Sequence, residues 1–363
     1  MESMVNPSPQ FWRGKRVLLT GHTGFKGAWL SVWLTRMGAK VHGFALAPET
    51  EPSLFRLTGL AGMLDHAEGD VRDVAAIRSA VEAARPQVVL HLAAQSLVRR
   101  SYAEPLETLA SNVMGTANLL QALRAAADLK AVVVVTTDKC YENREWEWPY
   151  RENDPLGGRD PYSASKACAE IVTAAFRDSY LGANGVAVGT ARAGNVVGGG
   201  DWADDRLLPD CVRAFSRGAK LRVRNPAAVR PWQHVLEPLA GYLLLAERLY
   251  NASPVDAGHA TAFNFGPSVD DVRTVGWVVA ETARLWGPAA GWEIDDGANP
   301  KEALILALDA ARARAMLGWR PRLTLGQCLE WTVHWYRVTA AGEPALAVTE
   351  SQIDRYLALG PAS

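Results

Sequence analysis

The first thirty residues limit the fold more than any other part of the chain. Residues 16–20 read Arg-Val-Leu-Leu-Thr and predict a buried strand, and residues 21–27 follow with the pattern G-x-x-G-x-x-G. The glycines permit a tight turn and a close backbone approach, and a helix starting near Phe25 would offer its free N–H groups to an anion. Because strand, turn and helix occur in this order, we expect a pyrophosphate of a dinucleotide here. An ordinary glycine turn is the alternative.

Apolar runs alternate with helical patterns through the first half of the chain. The predicted strands are residues 16–20, 40–46, 63–70, 88–94, 131–137 and 186–193, and the predicted helices are 25–37, 73–84, 105–127 and 162–180. This alternation predicts an α/β fold with a doubly wound parallel Rossmann sheet. After residue 194, glycines and prolines interrupt the alternation, and helical patterns return at residues 207–216, 235–250, 272–286 and 325–336.

We therefore predict three parts. Residues 1–13 form an N-terminal extension and residues 14–194 a dinucleotide-binding Rossmann domain. Residues 195–363 form a smaller, mainly helical C-terminal substrate lobe, from which some segments, such as the strand-like residues 263–266, return to the sheet.

Composition favours small-molecule chemistry. With 38 basic and 39 acidic residues, the chain has no overall basic field for nucleic acid. The four cysteines form no Cys-x-x-Cys pair, which argues against a zinc site or a disulfide framework and predicts four buried thiols in a reducing cytoplasm. No stretch approaches 18 apolar residues, so we expect no membrane span, and we expect no metal.

Two short segments predict acid–base chemistry. Tyr162 and Lys166 stand four residues apart on a predicted helix and therefore share one face. We expect the Lys166 ammonium to lower the pKa of Tyr162, so that the phenolate takes a hydroxyl proton near neutral pH. Thr137, Asp138 and Lys139 close the buried run before this helix. The alternatives are a surface Tyr–Lys pair and a solvated Asp138–Lys139 pair at a strand end.

These segments meet at one edge of the predicted sheet, because ligands of doubly wound sheets bind beyond the carboxyl ends of the strands. The acidic residue that would hold an adenosine ribose, expected at residues 44–46, is missing, and Glu49 comes late. The sequence therefore leaves NAD against NADP open. Asn112 is either a buried structural residue or part of a catalytic relay. His91 and His234 are more typical of core histidines than of ligands.

Five motifs together resemble the extended short-chain dehydrogenase/reductases, and among them the sugar-nucleotide 4,6-dehydratases. They are GHTGFKG at 21–27, TDKCY at 137–141, DPYSASK at 160–166, GNVVGGGDW at 194–202 and RPWQHV at 230–235. The resemblance covers most of residues 14–340. Thymidine-linked members carry Asp-Glu after the catalytic Thr, whereas Asp138-Lys139 resembles the cytidine-linked branch. One departure is Lys301, where we expect His.

The resemblance implies bound NAD and a net dehydration of CDP-glucose to CDP-4-keto-6-deoxyglucose. It implies that Tyr162 deprotonates the C4 hydroxyl, with Lys166 and Thr137 assisting, and that Asp138 protonates the leaving C6 oxygen. Lys139 takes part as a base or as an electrostatic stabiliser. The implied cofactor-binding residues are Gly21, Thr23, Gly24, Phe25, Lys26, Gly27, Asp70, Val71, Leu92, Ala93, Ala94, Tyr162, Lys166 and Arg192. The implied substrate-binding residues are Gln95, Ser96, Asn195, Arg206, Leu207, Arg230 and His234.

Two other functions are also compatible with these residues. An epimerase or reductase acting on nucleotide sugars would use the same Tyr–Lys pair without eliminating water. A regulator that senses a dinucleotide without turnover is the remoter alternative. The resemblance also implies a cytoplasmic homodimer or homotetramer, paired through the helices at 105–127 and 162–180, and a role in deoxysugar and lipopolysaccharide O-antigen biosynthesis.

Overall fold

The computed structural model describes residues 5–252, 257–295, 297 and 305–360, so that Lys301 lies outside the described residues. Within these ranges the strands are β1 (Arg16–Thr20), β2 (Lys40–Ala45), β3 (Asp65–Glu68), β4 (Val88–His91), β5 (Ala131–Thr137), β6 (Ala187–Ala193), β7 (Asn195–Val197), β8 (Lys220–Val223), β9 (Val229–Arg230), β10 (Trp232–His234), β11 (Ala262–Phe265), β12 (Arg273–Thr274) and β13 (Gly291–Ile294).

The α-helices within the same ranges are α1 (Pro9–Trp12), α2 (Phe25–Arg36), α3 (Leu54–Leu57), α4 (Val74–Ala84), α5 (Val98–Ala103), α6 (Pro105–Leu109), α7 (Gly115–Leu123), α8 (Pro161–Phe176), α9 (Leu207–Ser216), α10 (Leu236–Asn251), α11 (Val275–Trp286), α12 (Ala311–Leu317), α13 (Leu325–Ala340) and α14 (Ala345–Ala358).

Seven parallel strands form the central sheet in the order β11-β6-β5-β4-β1-β2-β3. All seven residues of β5 are buried, as expected for a strand covered by helices on both faces. The order reverses between β1 and β4, which is where a doubly wound sheet opens its ligand crevice. The predicted fold class is therefore confirmed, and the segment at 263–266 does return to the sheet, as β11 beside β6.

The chain beyond residue 194 is mainly helical in the part that the structure describes, with α9 to α14 and three short two-stranded ribbons. Helix α10 nevertheless packs against β5 and β6 of the central sheet. We keep the boundary at residue 194 as a proposal, in which a substrate lobe is joined to the Rossmann domain through α10 and β11.

Two predicted helices differ in detail from the structure. The helix predicted at 105–127 ends at Leu123 and is interrupted by a π-helical turn at Ala110–Met114. Helix α8 begins at Pro161, where the Asp160 side chain accepts a hydrogen bond from the Ser163 N–H, and continues into a second π-helical turn after Phe176. Helices α5, α12 and α14 were not predicted.

The prediction of four buried thiols is wrong for Cys168. Cys140, Cys211 and Cys328 are buried, but Cys168 is exposed because it lies on the outer face of α8, near the exposed Ile171. In the part of the chain that the structure describes, no helix is both long and apolar enough for a membrane span. The same residues contain no cluster of three or more His, Cys, Asp or Glu suited to a metal ion.

Candidate active site

A cleft with a volume of about 530 Å³ opens beyond the carboxyl ends of the central strands. This is the edge at which a doubly wound sheet binds its ligands. The predicted site residues that line the cleft are Gly21, Thr23, Gly24, Phe25, Lys26, Gly27, Asp70, Val71, Leu92, Ala93, Ala94, Gln95, Ser96, Thr137, Lys139, Tyr162, Lys166, Asn195, Arg206, Leu207 and Arg230. Three predicted site residues, Asp138, Arg192 and His234, are not part of its wall.

The glycine-rich turn forms one end of the cleft. Gly21 has a positive φ of +76°, and a Cβ atom there would lie 2.6 Å from the backbone nitrogen of Ala93. A Cβ atom on Gly27 would lie 2.1 Å from the Gly21 carbonyl oxygen. Both positions therefore require glycine. Because the turn leads directly into α2, the N–H groups of the first helical turn and the positive end of the helix dipole are available to an anion, which fits a pyrophosphate.

The neighbouring wall comes from the ends of β2 and β3. Thr23 Oγ1 donates to the carbonyl oxygen of Leu46 at 2.8 Å, which ties the glycine turn to the end of β2. The Asp70 carboxylate accepts from the backbone N–H of Arg72 at 2.8 Å and from its Nε at 2.7 Å. The side-chain hydrogen bond from Arg72 lowers the pKa of Asp70, so Asp70 brings a negative charge to this end.

The end of β5 places three polar side chains together. Asp138 is fully buried, and its Oδ1 accepts from Thr137 Oγ1 at 2.9 Å and from Lys139 Nζ at 3.3 Å. Lys139 Nζ also lies 3.4 Å from Asn195 Oδ1, on β7. Asp138 Oδ2 is buried without a hydrogen-bond partner among the described residues. A fully buried Asp138 is incompatible with the alternative of a solvated pair at a strand end.

Tyr162 and Lys166 line the cleft from α8, and both are buried. Burial raises the pKa of Tyr162 to about 12, although a hydrogen bond with Thr137 acts in the opposite direction. Burial likewise lowers the pKa of Lys166 to about 8, and its Nζ donates to the Val135 carbonyl oxygen at 3.3 Å. The prediction that the pKa of Tyr162 is lowered is therefore wrong for this arrangement, because desolvation outweighs the nearby positive charges.

Cationic side chains converge between the glycine turn and β5. Burial lowers the pKa of Lys26 to about 7, and the charges of Arg206, Lys166 and Lys139 lower it further, while Asp138 opposes them. Arg206 Nη1 pairs with Asp201 at 3.2 Å, and its Nη2 donates to Ser96 Oγ at 2.7 Å, across the cleft. This cationic cluster, Lys26, Lys139, Lys166 and Arg206, suits an anionic ligand such as a diphosphate.

Two predicted ligand-binding residues lie elsewhere. The guanidinium of Arg192 is buried, where it pairs with Glu170 at 2.8 Å and donates to the Tyr141 hydroxyl at 2.9 Å. His234 is fully buried between the rings of Trp29 and Trp331, and burial lowers its pKa to about 3, so it is a neutral core residue. In this arrangement Arg192 does not reach the cofactor, nor His234 the substrate.

Asn112, predicted to be either a buried structural residue or part of a catalytic relay, connects two segments of the active-site wall through hydrogen bonds. It lies in the π-helical turn, where its amide oxygen accepts from the Gln95 N–H at 2.8 Å and its Nδ2 donates to the Gln95 carbonyl oxygen at 2.9 Å. The same Nδ2 also bonds Ser165 Oγ at 2.8 Å. Asn112 thus joins the loop after β4 to α8, on which Tyr162 and Lys166 lie.

One ion-pair cluster at the cleft was not predicted from the sequence. Asp205 pairs with Arg99 at 2.9 Å and lies 3.6 Å from Arg224, and all three residues line the cleft. The only sequence signal for it is the charged run at residues 204–206. Arg230, which was predicted, also lines the cleft, and its Nη1 donates to the Val229 carbonyl oxygen at 2.9 Å.

Comparison with known proteins gives relatives in sequence and in fold. The chain is 48% identical to a CDP-glucose 4,6-dehydratase of Salmonella typhimurium, over 96% of this chain and 97% of that protein. Among solved structures, a variant of the dTDP-glucose 4,6-dehydratase DesIV from Streptomyces venezuelae, crystallised with NAD bound, is 25% identical and has a TM-score of 0.76 over 91% of this chain and 99% of its own.

A UDP-glucose 4-epimerase from Thermotoga maritima has the same TM-score of 0.76, over 89% of this chain and 99% of that chain; at 21% identity it shows a common fold. A family model described as GDP-mannose 4,6-dehydratase matches residues 18–332, a span that includes the glycine turn, the end of β5, Tyr162 and Lys166. The chain therefore belongs to the GDP-mannose 4,6-dehydratase family, within the extended short-chain dehydrogenase/reductases.

Proposed function

We propose that the protein is a hydro-lyase that converts CDP-glucose to CDP-4-keto-6-deoxyglucose with the help of bound NAD. The observation that carries this proposal is the Thr137-Asp138-Lys139 group beside Tyr162, in which one carboxylate oxygen of Asp138 has no hydrogen-bond partner among the described residues. The relative at 48% identity supports the choice of CDP-glucose over other nucleotide sugars. An Asp–Lys pair at this position matches the resemblance to cytidine-linked dehydratases.

The cleft fits NAD. The glycine turn suits its pyrophosphate, Asp70 and Val71 lie on the adenosine side, and Tyr162 and Lys166 lie at the far end of the cleft. Residues 45–50 contain Glu49 and no Lys or Arg, so this segment offers no cation for the 2′-phosphate of NADP. When bound, NAD supplies reversible uptake of a hydride, taken from C4 of the sugar and returned to C6.

In the first half of the reaction, Tyr162 takes the proton of the C4 hydroxyl. Thr137 hydrogen-bonds Tyr162 and lowers its pKa, which opposes the effect of burial. Lys166 remains mostly protonated near neutral pH, because its pKa of about 8 lies above 7. Its ammonium can therefore favour the phenolate when the site is filled and water is excluded.

In the second half, a ketone at C4 acidifies the hydrogen at C5, and water leaves from C6. Asp138, in its protonated form, is the candidate that delivers a proton from Oδ2 to the departing oxygen, because Oδ2 is buried and makes no hydrogen bond among the described residues. The proton that Tyr162 takes from the C4 hydroxyl would restore Asp138 for the next turnover, since Thr137 hydrogen-bonds both side chains. Lys139 contacts Asp138 from the cleft side at 3.3 Å. It serves either as the base at C5 or as the charge that stabilises the enolate oxygen.

The sugar-nucleotide end of the cleft is assigned to Gln95, Ser96, Asn195, Arg206, Leu207 and Arg230, all of which line it. Arginine suits a diphosphate because its guanidinium binds phosphate oxygens in a bidentate manner. We do not retain Arg192 and His234 in the proposed site, because other protein groups surround both of them.

The experiment that tests the proposal uses CDP-glucose deuterated at C4 and mass spectrometry of the product. We expect a product that has lost one water and carries deuterium at C6, with no net consumption of NAD. A product of unchanged mass would indicate epimerisation. Reduced cofactor in stoichiometric amounts would show that no hydride is returned, and either result would refute the dehydratase assignment.

We also propose a homodimer, with a homotetramer as the alternative, that acts in the cytoplasm in deoxysugar biosynthesis, with lipopolysaccharide O-antigen as the end product. The dimer is supported by exposed apolar side chains at neighbouring positions: Leu106 on α6, Met114 in the π-helical turn and Ile171 on α8. Exposed apolar groups on adjacent helices favour pairing with a second copy about a two-fold axis.

A further inference from the structure

Glu170 continues a row of functional side chains on α8. It follows Lys166 by four residues, as Lys166 follows Tyr162, so the three side chains lie on one face of the helix. Tyr162 and Lys166 line the cleft, whereas Glu170 is not among its lining residues and is only 4% exposed. A buried carboxylate at this position requires partners.

The Glu170 carboxylate has three partners on the two strands beneath α8. Its Oε1 accepts a hydrogen bond from the Thr136 hydroxyl on β5. Its Oε2 accepts from Thr190 Oγ1 at 2.7 Å and from Arg192 Nη2 at 2.8 Å, both on β6. Because Thr136 and Arg192 are register partners in the parallel β5–β6 pair, one carboxylate joins the helix to both strands. The contact on β5, Thr136, lies one residue before Thr137.

The charges around Lys166 give Glu170 a second effect. The titratable groups that face Lys166 are Tyr162 and Glu170 on α8, Cys140 after β5, His91 on β4 and Lys26 on α2. Burial keeps the thiol of Cys140 neutral by raising its pKa, and burial lowers the pKa of His91 to about 3. Among these groups, Glu170 is the carboxylate, and it forms an ion pair with Arg192.

The charged and titratable groups around Glu170 itself do not replace it. Arg192 pairs with it, and the Tyr141 hydroxyl and the Glu152 carboxyl, whose pKa values are both raised by burial, lie on the far side of Arg192. Burial lowers the pKa of Lys166, and the charge of Glu170 is the largest influence that raises it.

We propose that Glu170 is a positioning residue that acts through Lys166: its carboxylate fixes α8 against the end of β5 and supplies the negative charge that keeps the Lys166 ammonium protonated during turnover. The catalytic meaning of this inference rests on the proposed function. Its physical content, the coupling between Glu170 and Lys166, holds for any reaction in this cleft.

The test measures Lys166 directly, without added dinucleotide or nucleotide sugar. The full-length protein is labelled with trace acetic anhydride over a range of pH, and mass spectrometry of the peptide containing Lys166 gives the midpoint of its reactivity. In Glu170→Gln, which keeps the size of the side chain and one acceptor oxygen, we expect the midpoint to fall by about one pH unit or more, the range for loss of a nearby opposite charge. In Glu170→Asp, which keeps the charge, we expect a midpoint close to that of the wild type.

Thr190→Val is the matched control, because it removes a hydrogen bond to the same carboxylate oxygen and no charge; its midpoint should equal that of the wild type. If Glu170→Gln does not fold because Arg192 is left unpaired, the double variant Glu170→Gln/Arg192→Gln removes both charges; its midpoint should still fall, but by less, because the opposing charge of Arg192 is lost as well. An unchanged midpoint in the folded single or double variant, or an equal shift in Glu170→Asp and Glu170→Gln, would overturn the inference. Since the measurement involves no turnover, its failure is distinct from a failure of the dehydratase assignment.

Discussion

Replacing Asp138 by Asn should separate the two halves of the reaction. Oδ1 accepts both hydrogen bonds of the carboxylate, from Thr137 and Lys139, and Oδ2 has no partner among the described residues. The amide oxygen of Asn can keep both bonds, while its NH₂ group replaces the oxygen that would carry the proton. The new buried donor costs about 1–3 kcal/mol if it finds no partner, which a domain of this size should tolerate. The fold should therefore survive, and the proton donor is lost.

The kinetic expectation follows from the charge. Asn at this position is neutral, as Asp138 is when it carries the proton for elimination, and an ionised Asp138 would only raise the pKa of Tyr162, so C4 oxidation should be at least as easy as in the wild type. Elimination should slow by about 10²–10⁴-fold, the usual contribution of a positioned acid, which corresponds to about 3–5 kcal/mol in the barrier. In a single-turnover experiment with CDP-glucose, absorbance of reduced nicotinamide should rise and persist.

Asp160→Asn is the control for the charge, because Asp160 also raises the pKa of Tyr162 but caps α8 outside the cleft wall. It should dehydrate CDP-glucose at a rate near that of the wild type, once its helicity has been verified by circular dichroism. The reasoning on Asp138 is refuted if Asp138→Asn dehydrates within tenfold of the wild type. It is equally refuted if that variant binds both ligands yet gives no early absorbance signal.

Three further predictions concern other parts of the molecule. Tyr162→Phe removes the proton acceptor and keeps the ring, so C4 oxidation should fall by about 10²–10⁴-fold while dinucleotide binding, measured by calorimetry, is retained; turnover near that of the wild type would exclude Tyr162 as the base. Lys139→Met should oxidise CDP-glucose and then accumulate reduced cofactor in stopped-flow absorbance, and wild-type dehydration would show that Lys139 takes no part in elimination. Burial raises the pKa of Glu237 from 4.5 to about 7, so its ionisation in the fold should cost about 3 kcal/mol of unfolding free energy as the pH rises from below 4.5 through 7. Denaturant unfolding should show this loss in the wild type and not in Glu237→Gln; equal pH dependence in the two proteins would contradict it.

The sequence predicted the parts of the molecule that follow from local pattern. The bounds of β1, β5 and α9 agree with the predicted ones, because a mainly apolar run or an amphipathic repeat determines each. The residues of the glycine turn, the strand ends and α8 meet in one cleft, because parallel topology brings carboxyl ends together. Helix α14 escaped prediction although its buried residues, Ala345, Thr349, Gln352, Ile353 and Tyr356, lie along one face of the helix. Three of the five are polar or small, which weakens the apolar signal.

The wrong predictions concern the direction and surroundings of single side chains. The family resemblance implied that Arg192 binds the cofactor. In the structure Arg192 lies on β6, beside Thr136 of β5, and its guanidinium pairs with Glu170 on α8. Glu170 was not predicted, because four residues after Lys166 it looks in the sequence like an ordinary helix residue. Its importance comes from the two strands packed against α8, which no pattern within the helix reveals.

For the pKa of Tyr162, the predicted direction was wrong although Tyr162 and Lys166 do line the same cleft. The spacing of Tyr162 and Lys166 correctly placed a cation on the same face, and an exposed pair of this kind would lower the pKa of the phenol. At 8% and 7% exposure, however, burial dominates both groups and drives both toward their neutral forms, raising one pKa to about 12 and lowering the other to about 8. Depth of burial is set jointly by α8, β5 and the loop after β4, which are distant in the chain. Charged groups around the pair must therefore favour the phenolate of Tyr162 and the ammonium of Lys166. Glu170 is one such group for Lys166, and it could be identified only from the folded structure.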